Sequence, residues 1–345
     1  MTPPKGPPSV DYAEAWATGL RGRRARAAGL RIVTWNVWFD ERHQAERLSL
    51  LLTALASTDA DVVGLQEVTE EVAATLRGLG GLNERYAISP NVVSSYGCLL
   101  LVRHALRPVF GEVGLPTTMG RSAVVAELGA LDGAAVATVH LESLDSERTR
   151  RRQLEAIAGR LQGFKAACLF GVGSRVETRQ GLDCLDARQG RHVPPLQDFN
   201  FDDRVTWGER APARPRRAST TRDHSRWRDP RRHRESDVLE NAVLARMLPE
   251  FADAWPAARG GEEGYTRDGS VNRFVRDARE RVPPAFRRSR GARRGAPAQV
   301  RYDRVMVKGF RTAAAEVLGS APAAGGLFAS DHFGVSVDLE SDLDT

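Results

Sequence analysis

At 345 residues the chain can form one large α/β domain or two small ones and can bury a sizeable core. Hydrophobic residues make up 41% of it, yet no apolar run approaches the roughly 20 residues that a membrane-spanning helix needs. The net charge of +6 invites a polyanionic partner, but three segments hold more than all of it. Val172–Gln197, Gly208–Arg234 and Arg281–Gln299 carry four, ten and six arginines against three, three and no acids, so the rest of the chain is acidic on balance. Total charge is therefore no argument for nucleic-acid binding.

The first 29 residues are rich in Pro, Gly, Ala and Arg and read as a mobile tail with no secretory h-region. Arg21, Arg23, Arg24 and Arg26 read either as a nuclear-import signal or as a solvated basic cluster. Order is expected from Leu30, where LRIVTWNVWF reads as a buried strand. Leu48, Leu51, Leu52 and Leu55 share one face of a following helix. A second strand is expected at Asp61–Val68, then a helix over Thr69–Leu79 with Thr69 as N-cap. Further strands are expected at Gly97–Val102, Ser122–Leu128 and Ala134–His140. A helix follows at Arg148–Leu161, and strands return at Ala166–Gly171, Tyr302–Val307 and Gly334–Leu339. Strands and helices alternate early and strands follow strands later, which suits a mixed α/β sandwich. Positions 30–340 read as one domain interrupted by the Arg-rich inserts, with no internal repeat. Cys98, Cys168 and Cys184 lack metal-ligand spacing and read as free thiols.

Polar residues collect at the predicted strand ends. These are Asn36 in TWNVW, Glu67 in LQEV, His140 and Ser143 in HLES, Asp198 and Asn200 in DFN, Asp303 in RYDRV, and Asp331 and His332 in SDHFG. Burying such groups is costly unless something compensates them, and a shared metal and phosphate site would do so. Singly each has an ordinary explanation: a turn-forming Asn36, a helix-start acid at Glu67, a structural His140, a surface ion pair at Asp303. Their common order along the chain argues for one site.

That order resembles the exonuclease/endonuclease/phosphatase superfamily, and within it the type-2 5′-tyrosyl-DNA phosphodiesterases of plant-like form. TWNVWF, LQEV, MGR at Met119–Arg121, HLES, DFNFDD, GYTRDGSVN, YDRV and SDHFG carry the resemblance from about Leu30 to Leu339. It implies a deoxyribonuclease-I-like, four-layer α/β sandwich of two packed mixed sheets flanked by helices. It also implies a monomeric, nuclear, Mg2+-dependent (or Mn2+-dependent) phosphodiesterase that frees tyrosyl peptides from DNA 5′ ends, without membrane association; cytoplasm or an organelle stays open. Another hydrolase of the superfamily, acting on abasic DNA, poly(A), a phosphoinositide or sphingomyelin, is an alternative. So is an impaired Arg-rich nucleic-acid-binding protein.

In that family Glu67 would hold the metal with Asn36 and Asp331 near it. Asp198 would orient or deprotonate water, and Asn200 would help position it. His332, held by Asp303, would meet charge on the phosphoryl oxygens. His140 and Ser143 would hold a phosphate oxygen. Arg121, Tyr265, Thr266 and Asn272 would line a groove for single-stranded DNA, with ordinary loop roles as the alternative.

One departure bears on all of this. Twenty-six residues, Val172–Gln197, separate Gly171 from Asp198, and deleting them restores ACLFGDFNFDD. They read either as a surface excursion, whose closure costs about 3 kcal/mol plus a constant, or as a retained intron, since valine codons begin GT and a glutamine codon ends AG. Gly208–Arg234 and Arg281–Gln299 are suspect on weaker grounds. A transcript retaining the codons for Val172–Gln197 would dispose of the intron reading; a spliced transcript lacking them is the expected outcome.

Overall fold

Apolar residues on both faces of the central strands demand cover on both sides, and the chain supplies it with four layers. The computed structural model describes residues 10–23, 29–143, 146–172, 240–275 and 299–341. Asp198, Asn200, Cys184, the insert at Gly208–Arg234 and nearly all of the other two inserts lie outside the described residues.

The first sheet contains β1 (Leu30–Asn36), β2 (Val62–Thr69), β3 (Tyr86–Ile88), β4 (Tyr96–Arg103), β13 (Phe310–Leu318) and β14 (Gly334–Ser341), in the order β13-β14-β1-β2-β4-β3. The second contains β5 (Pro108–Gly114), β6 (Ser122–Leu128), β7 (Ala134–His140), β8 (Ala166–Val172), β9 (Ala252–Asp253) and β12 (Asp303–Lys308), in the order β5-β6-β7-β8-β12-β9. A short ribbon pairs β10 (Arg267–Asp268) with β11 (Gln299–Val300). Each large sheet holds one parallel pair, β1 with β2 and β7 with β8, and is otherwise antiparallel. A helix makes each parallel crossover, α2 (Gln44–Thr58) and α5 (Glu147–Leu161). The two sheets thus share a plan that no sequence repeat announces.

Strand pleating sorts the core. Ile32, Val62, Leu100, Val136, Phe170 and Val305 meet between the sheets. Val33, Trp35 and Leu65 face outward against Leu48, Leu51, Leu52 and Leu55 of α2. Ala135, Ala137 and Leu169 face outward against Leu154, Ile157 and Leu161 of α5. The helix α3 (Glu70–Gly78) starts as expected, with the Thr69 side chain accepting from the Val72 amide. Cys98 and Cys168 are free and buried, and burial pushes the Cys98 thiol up to about 12.

The N-terminal reading needs correction. Order begins before Leu30: α1 (Tyr12–Arg21) is capped by Asp11 and inserts Trp16 into the core beside α2. The Trp16 indole donates to the Gly81 carbonyl at 3.0 Å. Apolar positions spaced along Tyr12–Leu20 give this helix a face to bury, and the nearby Arg-rich composition hid it. Arg21 pairs with Glu14 and Arg23 with Asp59, so both described arginines of the basic cluster are engaged in ion pairs. Three strands at Tyr86, Pro108 and Phe310 were also not legible; β5 and β13 alternate with exposed residues at sheet edges.

Gly64 sets the distance between the sheets. A Cβ there would lie 2.2 Å from the Phe170 ring and 2.9 Å from Thr138 Oγ1. Gly64→Ala is expected to lower stability by about 1–3 kcal/mol through overpacking, read as a reduced urea midpoint at unchanged m-value. An unchanged midpoint would show that the sheets tolerate local separation.

Candidate active site

Parallel strands end where their antiparallel neighbours begin. The ends of β1, β2, β7 and β8 therefore lie at the same edge of the sandwich as the starts of β12 and β14. The sequence-predicted residues of the described regions gather there.

Glu67 owes its aim to a bulge. Leu65 pairs with Leu99 and Val68 with Gly97, so Gln66 and Glu67 together face the single residue Cys98. The extra residue lets Leu65 and Val68 both pack outward, three positions apart, which a regular pleat forbids. Glu67 takes a left-handed backbone, φ +56°, and is buried toward the site. It is a strand-bulge residue, not a helix-start acid. Its Oε1 accepts from Asn36 Nδ2 at 2.9 Å, and its Oε2 from the Phe39 amide at 3.3 Å. Asn36 Oδ1 accepts from the Trp38 amide at 2.8 Å. The amide of Asn36 thus orients the carboxylate and shapes the turn after β1.

Arg47 holds that turn from beneath. Its guanidinium donates to the carbonyls of Val37, Trp38, Asp40 and Arg42 and lies over the Trp38 ring. Burial pushes it down to about 10, against the opposing fields of Asp331, Asp40 and Glu67. Trp38 joins Phe274, Phe328 and Phe333 in an aromatic cluster beside the site.

His140, at the end of β7, is fully enclosed. Arg121 Nη1 lies 3.2 Å from its Nδ1, and its Nε2 lies 3.9 Å from Glu67 Oε1. A guanidinium can only donate, so Nδ1 must accept and the ring proton sits on Nε2. Burial, then the Arg121 charge, then His332 hold its pKa well below the usual histidine range. Arg121 also donates to Ser143 Oγ at 3.3 Å, stacks over Tyr96, and keeps an Nε–H without a partner among the described residues. It is a buried organiser, not a loop surface residue. Its loop is tied down by Glu142, whose carboxylate accepts from the Thr117 hydroxyl and from the Thr118 amide and hydroxyl. Burial would raise that carboxyl, but these bonds hold it below its usual value.

The second half of the site centres on Asp303 and His332, both buried, with Asp303 Oδ2 2.9 Å from His332 Nδ1. Asp303 Oδ1 has no partner among the described residues. Thr266 Oγ1 accepts from the amides of Tyr302 and Asp303, and its carbonyl accepts from the Phe333 amide at 2.6 Å. Asn272 Nδ2 donates to the Ser330 carbonyl at 2.8 Å. Both are wholly buried, so they position the Asp303 and His332 loops instead of lining an open groove. Tyr265 is half-buried next to Thr266. Asp331 accepts from Arg267 at 3.2 Å. Trp35 of β1 donates to the His332 carbonyl at 3.1 Å, tying this half to the first.

Arg47, Gln66, Glu142 and Arg267 were not picked out from the sequence. Gln66, Glu142 and Arg267 lie inside the quoted motifs LQEV, HLES and GYTRDGSVN, but nothing in their own spacing marks a role for them. Gln66 Nε2 reaches Thr34 and, across the sheets, Thr138.

The chemistry on offer is hard oxygen from Glu67 and Asn36, donors from Arg121, Ser143 and the neutral His140, and an oriented imidazole at His332. Among the described residues no three His, Cys, Asp or Glu groups could cage a metal. A single carboxylate suits a hard dication that keeps its waters.

His140 also links the site to acid stability. Below the ordinary histidine pKa of about 6.5 the unfolded chain binds a proton that the folded chain refuses. Stability is thus complete above that pH and falls as pH drops through it, with a limiting slope of about 1.4 kcal/mol per unit. His140→Gln is expected to flatten the stability–pH curve between about pH 5 and 6.5. Parallel curves for the two proteins would show that His140 does not titrate on unfolding.

The Endonuclease/Exonuclease/phosphatase family profile matches residues 33–332. No curated protein matches the chain in sequence. Among solved structures, TDP2 of D. rerio complexed with single-strand DNA product is similar at TM-score 0.59 and 18% identity, over 91% of this chain and 100% of that one. Truncated Caenorhabditis elegans TDP2 is similar at 0.53 and 16%, over 91% and 98%. The 3′-5′ exonuclease NExo of Neisseria meningitidis is similar at 0.50 and 17%, over 90% and 100%. With its four-layer fold and its polar residues gathered at one sheet edge, this chain belongs to the Endonuclease/Exonuclease/phosphatase family.

Proposed function

We propose that the protein is a Mg2+-dependent phosphodiesterase that hydrolyses the phosphotyrosyl bond at DNA 5′ ends. The observation that carries the hydrolytic reading is the convergence of the Asn36–Glu67 pair with the Asp303–His332 pair at one buried sheet edge. The substrate class rests on the HLES, GYTRDGSVN and SDHFG resemblance, and on fold similarity to a protein whose structure holds single-strand DNA.

Glu67, oriented by Asn36, would hold Mg2+ (or Mn2+), which when bound neutralises phosphoryl charge. His140, through its Nε2–H, and Arg121 and Ser143 would donate to non-bridging oxygens. His332, fixed by Asp303, would meet the charge that develops in the transition state. Asp198 and Asn200 would orient the attacking water. A tyrosine phenolate, with a pKa of about 10, leaves far more readily than an alkoxide and needs little protonation. Acting in DNA repair would place the protein in the nucleus.

The test is release of tyrosine from a 5′-phosphotyrosyl single-stranded oligonucleotide with Mg2+, beside abasic DNA, poly(A), a phosphoinositide and sphingomyelin. Preference for the tyrosyl substrate is expected, with a loss of at least about 100-fold in Glu67→Ala or His332→Ala. Preference for any other member of the panel would reassign the substrate. Parental rates in both variants would sink the site assignment.

A further inference from the structure

Arg47 is a buried cation on α2, in line with the buried Leu51 and Leu55 at i+4 and i+8. Among the described residues no carboxylate lies within ion-pair distance of it, and its Nε–H has no partner. Burying a charge without a counter-charge is costly, so a guanidinium on an otherwise apolar stripe needs a reason. Its hydrogen bonds supply one. Nη2 donates to the Val37 carbonyl at 3.1 Å and to the Trp38 carbonyl at 2.6 Å. Nη1 donates to the Asp40 carbonyl at 2.8 Å and to the Arg42 carbonyl at 3.2 Å.

A trans peptide is planar, with its C=O and N–H pointing opposite ways, so a group that holds the oxygen also aims the hydrogen. The peptide joining Val37 to Trp38 gives its carbonyl to Arg47 and its N–H to Asn36 Oδ1, at 2.8 Å. The next peptide, joining Trp38 to Phe39, gives its carbonyl to Arg47 and its N–H to Glu67 Oε2, at 3.3 Å. Asn36 Nδ2 in turn donates to Glu67 Oε1 at 2.9 Å. One guanidinium nitrogen therefore governs both groups that hold the two oxygens of Glu67. The backbone between them needs holding. Trp38 has φ +60°, a left-handed conformation that a bulky residue keeps only when its surroundings impose it.

We infer that Arg47 is a positioning residue for Glu67: by gripping two consecutive peptides it sets the aim of the carboxylate, and with it the affinity for a dication. This rests on the reading of Glu67 as the metal-holding group. Arg47 lies on the carbonyl side of both peptides and the carboxylate on the N–H side, so the effect passes through backbone. The fork geometry matters as well as the charge. Lysine at this place keeps the charge but gathers its donors on one atom, and methionine keeps an unbranched stem with no donor.

Mn2+ affinity, read by electron paramagnetic resonance, tests this on the full chain and on its Arg47→Met, Arg47→Lys and Glu67→Gln variants. The temperature is one at which circular dichroism shows each protein to be folded. Glu67→Gln is expected to lose most of the binding. Arg47→Met is expected to bind Mn2+ about 10–100-fold more weakly than the parent, as when a group that orients a metal ligand is lost, with Arg47→Lys between the two. Raising Mn2+ should bring hydrolysis of bis(p-nitrophenyl) phosphate by Arg47→Lys back toward the parental rate, a recovery that His332→Ala lacks. Parental Mn2+ affinity in folded Arg47→Met would overturn the inference; if that variant does not fold, parental affinity in Arg47→Lys does so. Affinity unchanged in Glu67→Gln would overturn the metal reading and the inference with it. Glu67-dependent binding weakened by both Arg47 substitutions, in a parent that cleaves no diester, would sustain the positioning role and refute the hydrolytic reading.

Discussion

Two six-stranded sheets pressed face to face exclude water, so a polar group between them must find its partner on the same or the opposite sheet. Gln66 shows the constraint directly. Its amide nitrogen reaches Thr34 on its own sheet and Thr138 on the other. From there toward the sheet edge the inter-sheet face turns from apolar to polar, through Glu67, His140, Asp303 and His332. The site is the end of the core, built where paired strands run out.

The two histidines of that edge have opposite surroundings. Arg121 lies against His140 and makes it a neutral donor, while a carboxylate lies against His332 and fixes its ring. The same ring type thus serves two ends, and the sequence neighbours of neither histidine reveal which. Support for both comes from groups that never need to touch a substrate. Arg47 spends its donors on four carbonyls, Glu142 anchors the Arg121 loop, and Thr266 and Asn272 tie down the backbone around Asp303 and His332. Such rigid support lets a site keep its geometry to within about 0.5 Å.

The break at Gly171 is the feature in which sequence and structure bear most closely on one another. The strand up to it pairs on both sides as a site strand should, with His140 and Asp303 as its last partners.

Local patterning was enough for much of the frame. Runs such as Ser122–Leu128 and Ala134–His140 coincide with their strands, because burial on both faces replaces alternation with a near-continuous apolar run. The strand-end polar residues and their order also pointed to the family, and the described ones among them lie at one sheet edge. Long-range packing decided the rest. That Trp16 buries a helix in a basic tail, that a bulge turns Glu67 inward, that Arg121 is buried against His140, and that Thr266 and Asn272 are interior props all depend on what lies across a sheet or loop. No residue's own spacing encodes those neighbours, so composition and periodicity could give the elements while only the packed sheets could give their roles.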